Sequence, residues 1–294
     1  MRRRRALLVL AAGLLAAGPV LPAHASHEPE PEQVVAATIT EHWRSLRAER
    51  GFLGEPLGEL RCDPAVTRCT QRFAGGSIVW EPARGPYLAA ADRAASRYAV
   101  VNKHRPLPEG YAPARLREVA PGHRLVPAAA REAKALLAAA AEDGVALRVA
   151  SAYRSADHQG AAFRRWTREL GAERAAQQSA RPRHSEHETG LAMDLLPASG
   201  PCQEFGCFAD TEHARWLAEH AYEHGFVVRY QEGQEDVTGF TYEPWHLRFV
   251  GEPLARDLRA LGSDSLEEHL DLTPAPAYAG SLPRDRQPLR WSGD

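Results

Sequence analysis

The stretch RHSEHETGLAMDLLP, residues 183–197, sets two histidines, two glutamates and an aspartate within twelve positions before it turns apolar. Two chemistries share that composition: a solvated polar loop, and one half of a metal site. His187 and Asp194 stand seven apart, with Gly190 between them to permit a sharp bend. This is the spacing of a loop entering a strand, unlike the i, i+4 pair of a helical H-E-x-x-H zinc site. Alone it is a weak signal. A second place strengthens it: in YEPWH, Glu243 lies three residues before His246 on a predicted strand. His187, Asp194 and His246 would supply three N/O donors and leave a fourth position open, the arrangement of a catalytic zinc. Glu243, close to a ligand without being needed as one, would serve as general base and then general acid. In a third place, SAYRSADHQ, Arg154 stands at a predicted strand end, where a guanidinium can clamp a carboxylate or polarise a carbonyl. Gln159, one turn into the next helix, and Ser185, two residues before His187, would add donors. Glu186 and Glu188 are expected to face outward, and His158, His213, His220 and His224 are read as surface residues.

Those groups need elements to hold them. VPAAAREAKALLAAAAEDG (126–144) is rich in helix formers and stops at a glycine. VALRVASAYRS alternates like a strand, and ADHQGAAFRRWTREL reads as the helix after it, with Gly171 as its stop. EHARWLAEHAYEHGF predicts another helix, followed by the strand FVVRY, a polar turn QEGQED, and the strand-bearing VTGFTYEPWHLRFV. Helices mixed with hairpin-linked strands, without βαβ alternation, predict an α+β fold: a small antiparallel sheet with flanking helices. Upstream, residues 34–88 suggest a compact module with a helical opening, Gly-rich turns and a short SIVW strand. YLAAADRAASRYAV (87–100) predicts a linker helix, with 89–97 joining the module to a domain over 98–271. Residues 272–294 lack periodicity and are expected to be loose.

Composition and the N-terminus bound the setting. Of 36 basic residues only Lys103 and Lys134 are lysines, which with the abundant alanine reads as the signature of a GC-rich genome. Residues 1–25 carry a positive MRRRR, an apolar run and an A-x-A site at 23–25, the pattern of a cleaved secretory signal, and an acidic spacer covers 26–33. Loss of the four signal arginines takes the formal charge from −2 to −6, which argues against a nucleic-acid partner. The chain is therefore expected outside the cytoplasm, secreted or associated with the envelope. In that compartment Cys62 with Cys69, and Cys202 with Cys207, are read as two local disulfides, each contributing roughly 2–3 kcal/mol.

Two resemblances follow from these residues. Trp43, GFLGEP (51–56) and QRFAGGSIVW (71–80) resemble the LGFP repeat of exported actinobacterial proteins, with Glu55 in place of the repeat's aromatic. That resemblance implies envelope association through residues 34–88. SAYRSxxxQ, SEHETGLAMD and TGFTYEPWHLRFVG, preceded by VNKHRPLPEGYAPARL and followed by SLEEHL, resemble the VanY-type D-alanyl-D-alanine carboxypeptidases. This second resemblance covers 98–271 and implies Zn2+ on His187, Asp194 and His246, Glu243 as acid/base, and Arg154 facing the substrate; peptidoglycan stem peptides are the expected partner, and the chain is expected to act as a monomer. It also implies the fold shared with lysostaphin-like peptidases and the zinc domain of hedgehog proteins. An L,D-carboxypeptidase, a D,D-dipeptidase or a non-catalytic zinc-containing wall-binding protein would use the same ligands. Pro182-Arg183-His184 departs from the family's Pro-Gly-Gly and would border the site with a bulkier, cationic loop.

Overall fold

The computed structural model describes residues 30–278; the signal pattern of 1–25 and the last sixteen residues lie outside them. Helix α1 (Pro31–Ser45) opens on a proline and an acidic first turn and closes on basic residues, as the helix dipole favours. Its buried face is Val35, Ile39 and His42, one stripe at helical spacing. Strands β1 (Arg61–Cys62), β2 (Cys69–Phe73), β3 (Gly76–Glu81) and β4 (Gly85–Leu88) follow in an antiparallel sheet of that order, and the Cys62–Cys69 disulfide bridges the first pair. A two-stranded ribbon, β5 (Arg117–Ala120) and β6 (His123–Leu125), leads into α2 (Pro127–Glu142).

The main sheet begins with β7 (Leu147–Ser151). Then come α3 (Ala156–Leu170) and α4 (Ala172–Gln178), and next β8 (Ala192–Pro197). After β8 come α5 (Glu212–His220), β9 (Phe226–Tyr230), α6 (Glu235–Thr238), β10 (Glu243–Phe249), α7 (Glu252–Leu261) and α8 (Leu266–His269). The order across the sheet is β7-β8-β10-β9, every neighbour antiparallel, so the fold is α+β as expected. Side chains alternate across it. Met193, Leu195, Leu247 and Phe249 turn inward against Leu136 of α2, Leu217 of α5 and Phe226, while Asp194 and His246 turn the other way. The second disulfide, Cys202–Cys207, ties the loop before α5 beside this core.

Residues 87–100 differ from the expected linker helix. Tyr87 and Leu88 pair with Val79 and Ile78 to complete the first sheet, and only Ala89–Asp92 turn helically, as a 3-10 turn. Sheet pairing buries both side chains, and that burial overrides a weak helix propensity. Nor is 89–97 a free tether, since Ala91 and Tyr98 belong to a core cluster running from α1 and β3 to Val250, Leu254, Leu258, Leu266 and Leu270. The N-terminal module and the larger domain therefore share one apolar interior. Asp257 of α7 fastens the seam, accepting from the backbone N–H of Phe52 and, at 2.7 Å, from the Arg47 guanidinium. The tail is also packed as far as it is described: Ala275 and Tyr278 are buried, and the Tyr278 hydroxyl accepts from the Arg181 N–H at 2.7 Å.

The same seam encloses His269, whose Nδ1 lies 3.0 Å from the Ser263 hydroxyl and whose ring lies 6.4 Å from that of Phe52. Burial, assisted by Arg47, pushes its pKa down to about 4. Folding then disfavours its proton, so stability falls as pH drops from the unfolded value near 6.5 towards 4, by at most about 3 kcal/mol. Urea-denaturation midpoints across that range should fall for the wild type and fall less steeply for His269→Gln. Some slope should persist, because His42 in the same core is also pushed down by burial.

Candidate active site

Two β-bulges shape the site. In a regular strand Glu243 and His246, three apart, would point to opposite faces. Between β10 and β9 the register runs Glu243↔Tyr230 and then Leu247↔Val228, so β10 carries extra residues there. That irregularity re-aims the strand and brings a Glu243 carboxylate oxygen to 3.9 Å from His246 Nδ1. A second bulge, between Val149 and Ser151 of β7, sits opposite Asp194. Asp194 and His246 are direct cross-strand partners in β8 and β10 and share a face.

His187 comes from a 3-10 turn, Glu186–Thr189, which the Ser185 hydroxyl caps by accepting from the His187 N–H at 3.3 Å. Gly190 ends that turn at φ 69°, and a Cβ there would meet Leu116 at 3.0 Å and Val126 at 3.2 Å. No other residue fits that conformation and that space comfortably. The turn delivers His187 Nε2 to 3.2 Å from Asp194 Oδ2, while His246 Nδ1 lies 3.0 Å from Asp194 Oδ1. Donor atoms of His187, Asp194 and His246 all fall within 4.8 Å of one another, and all three residues are buried. The 3.0 and 3.2 Å separations are near the roughly 3.3 Å edge of a tetrahedron of donors held about 2.0 Å from zinc. Each imidazole is also anchored through its other nitrogen, His187 Nδ1 to the Ala152 carbonyl at 2.7 Å and His246 Nε2 to Glu186 at 3.5 Å. The donor set fits a zinc ion with an open coordination position.

The electrostatics are those of a sequestered site. Burial, with Arg154 adding to it, drives His187 down to about 4 against the pull of Asp194. Burial also opposes protonation of His246, but hydrogen bonds to Asp194 and Glu186 outweigh it and raise that group to about 9. Burial pushes the Glu243 carboxyl up to about 8, with His246 and Arg154 resisting and Asp194 assisting. Arg154 lies past the end of β7, and its side chain is uncommitted: the buried Nε has no hydrogen-bond partner. Its charge acts on His187, Glu188 and Glu243 alike.

Other expected site residues are placed less simply. Gln159 is buried, and its amide donates to the Ala180 carbonyl at 2.6 Å and to Ser179 Oγ at 3.3 Å, leaving only Oε1 without a partner. Its donors thus hold the loop at 179–180, and an acceptor is what remains. Glu186 and Glu188, expected in solvent, are buried instead. Glu188 accepts from the Arg183 N–H at 2.7 Å, and Arg183 itself adopts φ 72° in the loop that departs from the family. Glu186 accepts from Arg229 Nε at 2.9 Å and from Arg248 Nη1 at 2.7 Å; burial would raise it, but the two guanidinium charges hold it well below the usual carboxylate range. Sequence reading missed this cluster, although an arginine inside each of the apolar strands FVVRY and HLRFV was its signal, because an arginine in a buried strand needs an acid. Tyr230, whose ring lies 4.9 Å from that of His246, carried no comparable mark.

The fold is that of the VanY and LdcB peptidases. The solved LdcB LD-carboxypeptidase is 33% identical with a TM-score of 0.55, covering 61% of this chain and 88% of its own. The vancomycin-resistance D,D-pentapeptidase VanY, solved as a glutamate-to-alanine variant in complex with Zn(II), is 31% identical with a TM-score of 0.52, covering 58% of this chain and 97% of its own. Residues 122–252 match the VanY family of D-alanyl-D-alanine carboxypeptidases, and the chain belongs to that family. The putative carboxypeptidase YodJ of Bacillus subtilis is 35% identical over 182 residues, which are 59% of this chain and 66% of YodJ. The chain thus spans slightly less than two thirds of that relative's length.

If the cluster is a metal site, Asp194 joins both histidines through opposite oxygens and cannot be replaced by an amide. Asp194→Asn should leave the dialysed protein without stoichiometric zinc, as read by elemental mass spectrometry. Retention of wild-type zinc would remove Asp194 from the ligand set.

Proposed function

We propose that this chain is an exported zinc peptidase that removes the C-terminal D-alanine from peptidoglycan stem peptides. One observation carries the reading: a buried three-donor cluster is flanked by Glu243, a carboxyl 3.9 Å from His246 Nδ1 that makes no hydrogen bond among the described residues, and by Arg154, whose buried Nε has no partner. A structural zinc site needs neither. The names of the matched relatives support the same reading, since one is a zinc complex and another was solved with D-alanyl-D-alanine.

His187, Asp194 and His246 would hold the zinc, which when bound would supply Lewis-acid polarisation of a carbonyl and of water. The remaining work falls to the protein's own groups. A substrate ending in a free carboxylate brings a charge into a site that excludes water, and burying it unpaired is expensive. Arg154, with no partner of its own at Nε, is the counter-charge. The Ser185 oxygen is engaged by the His187 N–H, which leaves its hydroxyl hydrogen to donate to substrate. Gln159 Oε1 can accept a peptide N–H. Glu243 takes a proton from the attacking water and passes it to the leaving amine, and its buried carboxyl holds a proton more readily than a solvated one would.

Export rests on the signal pattern of residues 1–25 and on two cysteine pairs suited to an oxidising compartment. No described helix is long and apolar enough to cross a membrane. Envelope association through residues 34–88 and action as a monomer complete the proposal. A second reading, cleavage of an L,D bond, is favoured by the likeness to the LD-carboxypeptidase LdcB.

The test is mass spectrometry of purified muropeptides after incubation with the protein, with and without chelator. Chelator-sensitive loss of one alanine from the pentapeptide supports the D,D reading, and loss from the tetrapeptide supports the L,D reading. No loss from either substrate, with zinc bound, leaves cleavage of another wall bond, such as that of a D,D-dipeptide, or a non-catalytic wall-binding protein. Glu243→Gln should lower kcat by about 10²–10⁴-fold with zinc retained. Wild-type turnover in that variant would strip Glu243 of its role. Arg154→Ala should raise KM for carboxylate-terminated peptides more than for their C-terminal amides.

A further inference from the structure

Glu186 lies at the centre of a fully buried array that no catalytic step above uses. Its Oε2 faces His246 Nε2 at 3.5 Å, and its Oε1 accepts from Arg229 Nε and Arg248 Nη1. Arg229 in turn makes a two-point pair with Glu267 of α8, at 2.6 and 3.0 Å, and Glu267 also accepts from the Asn102 amide at 2.9 Å. Arg248 donates to the carbonyls of Ala99 and Arg97 at 2.5 and 3.1 Å. The array therefore holds two carboxylates and two guanidiniums, with a net charge of zero, tied to five separate parts of the chain.

The two histidines of the cluster are anchored differently. His187 is oriented by a backbone carbonyl, which is neutral and fixed by β7's exit. His246 is oriented by a side chain, and a carboxylate can be held in one place only if its own oxygens are pinned. The two arginines do that pinning, leaving Oε2 for the imidazole.

We propose that Glu186 is the positioning residue of the metal centre, holding His246 so that Nε2 bears the hydrogen and Nδ1 is presented to the ion, with Arg229 and Arg248 fixing the carboxylate that does so. The inference rests on the zinc reading above. An amide at this position can rotate and offer His246 either a donor or an acceptor, so it loses the one-way constraint while preserving shape. Outer partners of ligand histidines typically govern metal affinity by about 10–100-fold.

The experiment is zinc competition against a chromophoric chelator for wild type and Glu186→Gln, with the visible spectrum of the cobalt(II) form as a readout of ligand geometry. A rise in zinc Kd of about 10–100-fold, with an altered cobalt spectrum, supports the proposal. Equal affinity and an unchanged spectrum overturn it. Should the variant fail to fold, the wild type still decides: in the zinc-loaded protein the His246 Nε2–H should give a slowly exchanging, downfield proton resonance. Rapid exchange of that proton with solvent overturns the proposal equally. A wild-type chain that binds no zinc defeats the metal reading itself, an outcome distinct from equal binding by both proteins.

Discussion

Glu186, Arg229, Arg248 and Glu267 are ionised groups closed off from water, and none could occupy its place without the others. Moving a lone carboxylate or guanidinium out of water costs several kcal/mol even after relaxation, and breaking one member out of a buried pair costs about 3–5 kcal/mol. The four meet because the 3-10 turn, β9, β10 and α8 all converge at one point, and the carbonyls of Arg97 and Ala99 bring in the connecting segment. Any packing of the chain that displaced one of these elements would strand a charge. Such an array adds little net stability over an apolar core, but a shift of the elements that carry His187 and His246 would leave one of its charges buried and unpaired. Here that constraint coincides with the His187–Asp194–His246 cluster.

The cluster also depends on two local departures from regular sheet. Asp194 and His246 meet because they are cross-strand partners, a matter of register alone. Glu243 reaches the same face only because β10 is bulged between it and Leu247. A bulge breaks ladder hydrogen bonds and increases twist, and proteins accept that cost where a side chain must be re-aimed. The carboxyl so placed is buried, near the Asp194 carboxylate, and hydrogen-bonded to nothing among the described residues, which is why it is so readily protonated.

The N-terminal module contributes to the same solid body. About fifty residues with a four-stranded sheet and one helix bury too little surface to stand alone comfortably. Here α1 and β3 extend their interior into α7 and α8, with Asp257 satisfying the Phe52 N–H and the Arg47 guanidinium at the join. Because α8 also bears Glu267, the module's docking surface and part of the array around Glu186 lie on one short helix. Residues 275–278 pack against the loop that leads into the turn carrying His187, where Tyr278 lies edge-on to His184 and its hydroxyl accepts from the Arg181 N–H.

The helix stops at Gly144 and Gly171, the strands FVVRY and EPWHLRF and the cysteine pairs were legible in the sequence, as was the grouping of His187, Asp194 and His246 with Glu243 nearby. They were legible because apolar periodicity, turn glycines and unusual polar groupings are local signals. Burial of polar residues was not. Glu186 and Glu188 look like solvent-facing glutamates until Arg229, Arg248 and the Arg183 backbone arrive from elsewhere, and Gln159 looks like a substrate donor until the Ala180 carbonyl takes its amide. The expected linker helix failed for the same reason, since pairing with β3 was worth more to Tyr87 and Leu88 than helix propensity. Which residues can do chemistry is written in their types and spacing; which of them meet, and which are bound to hold the others, is set by contacts between segments far apart in the chain, where desolvated charge must find its partner.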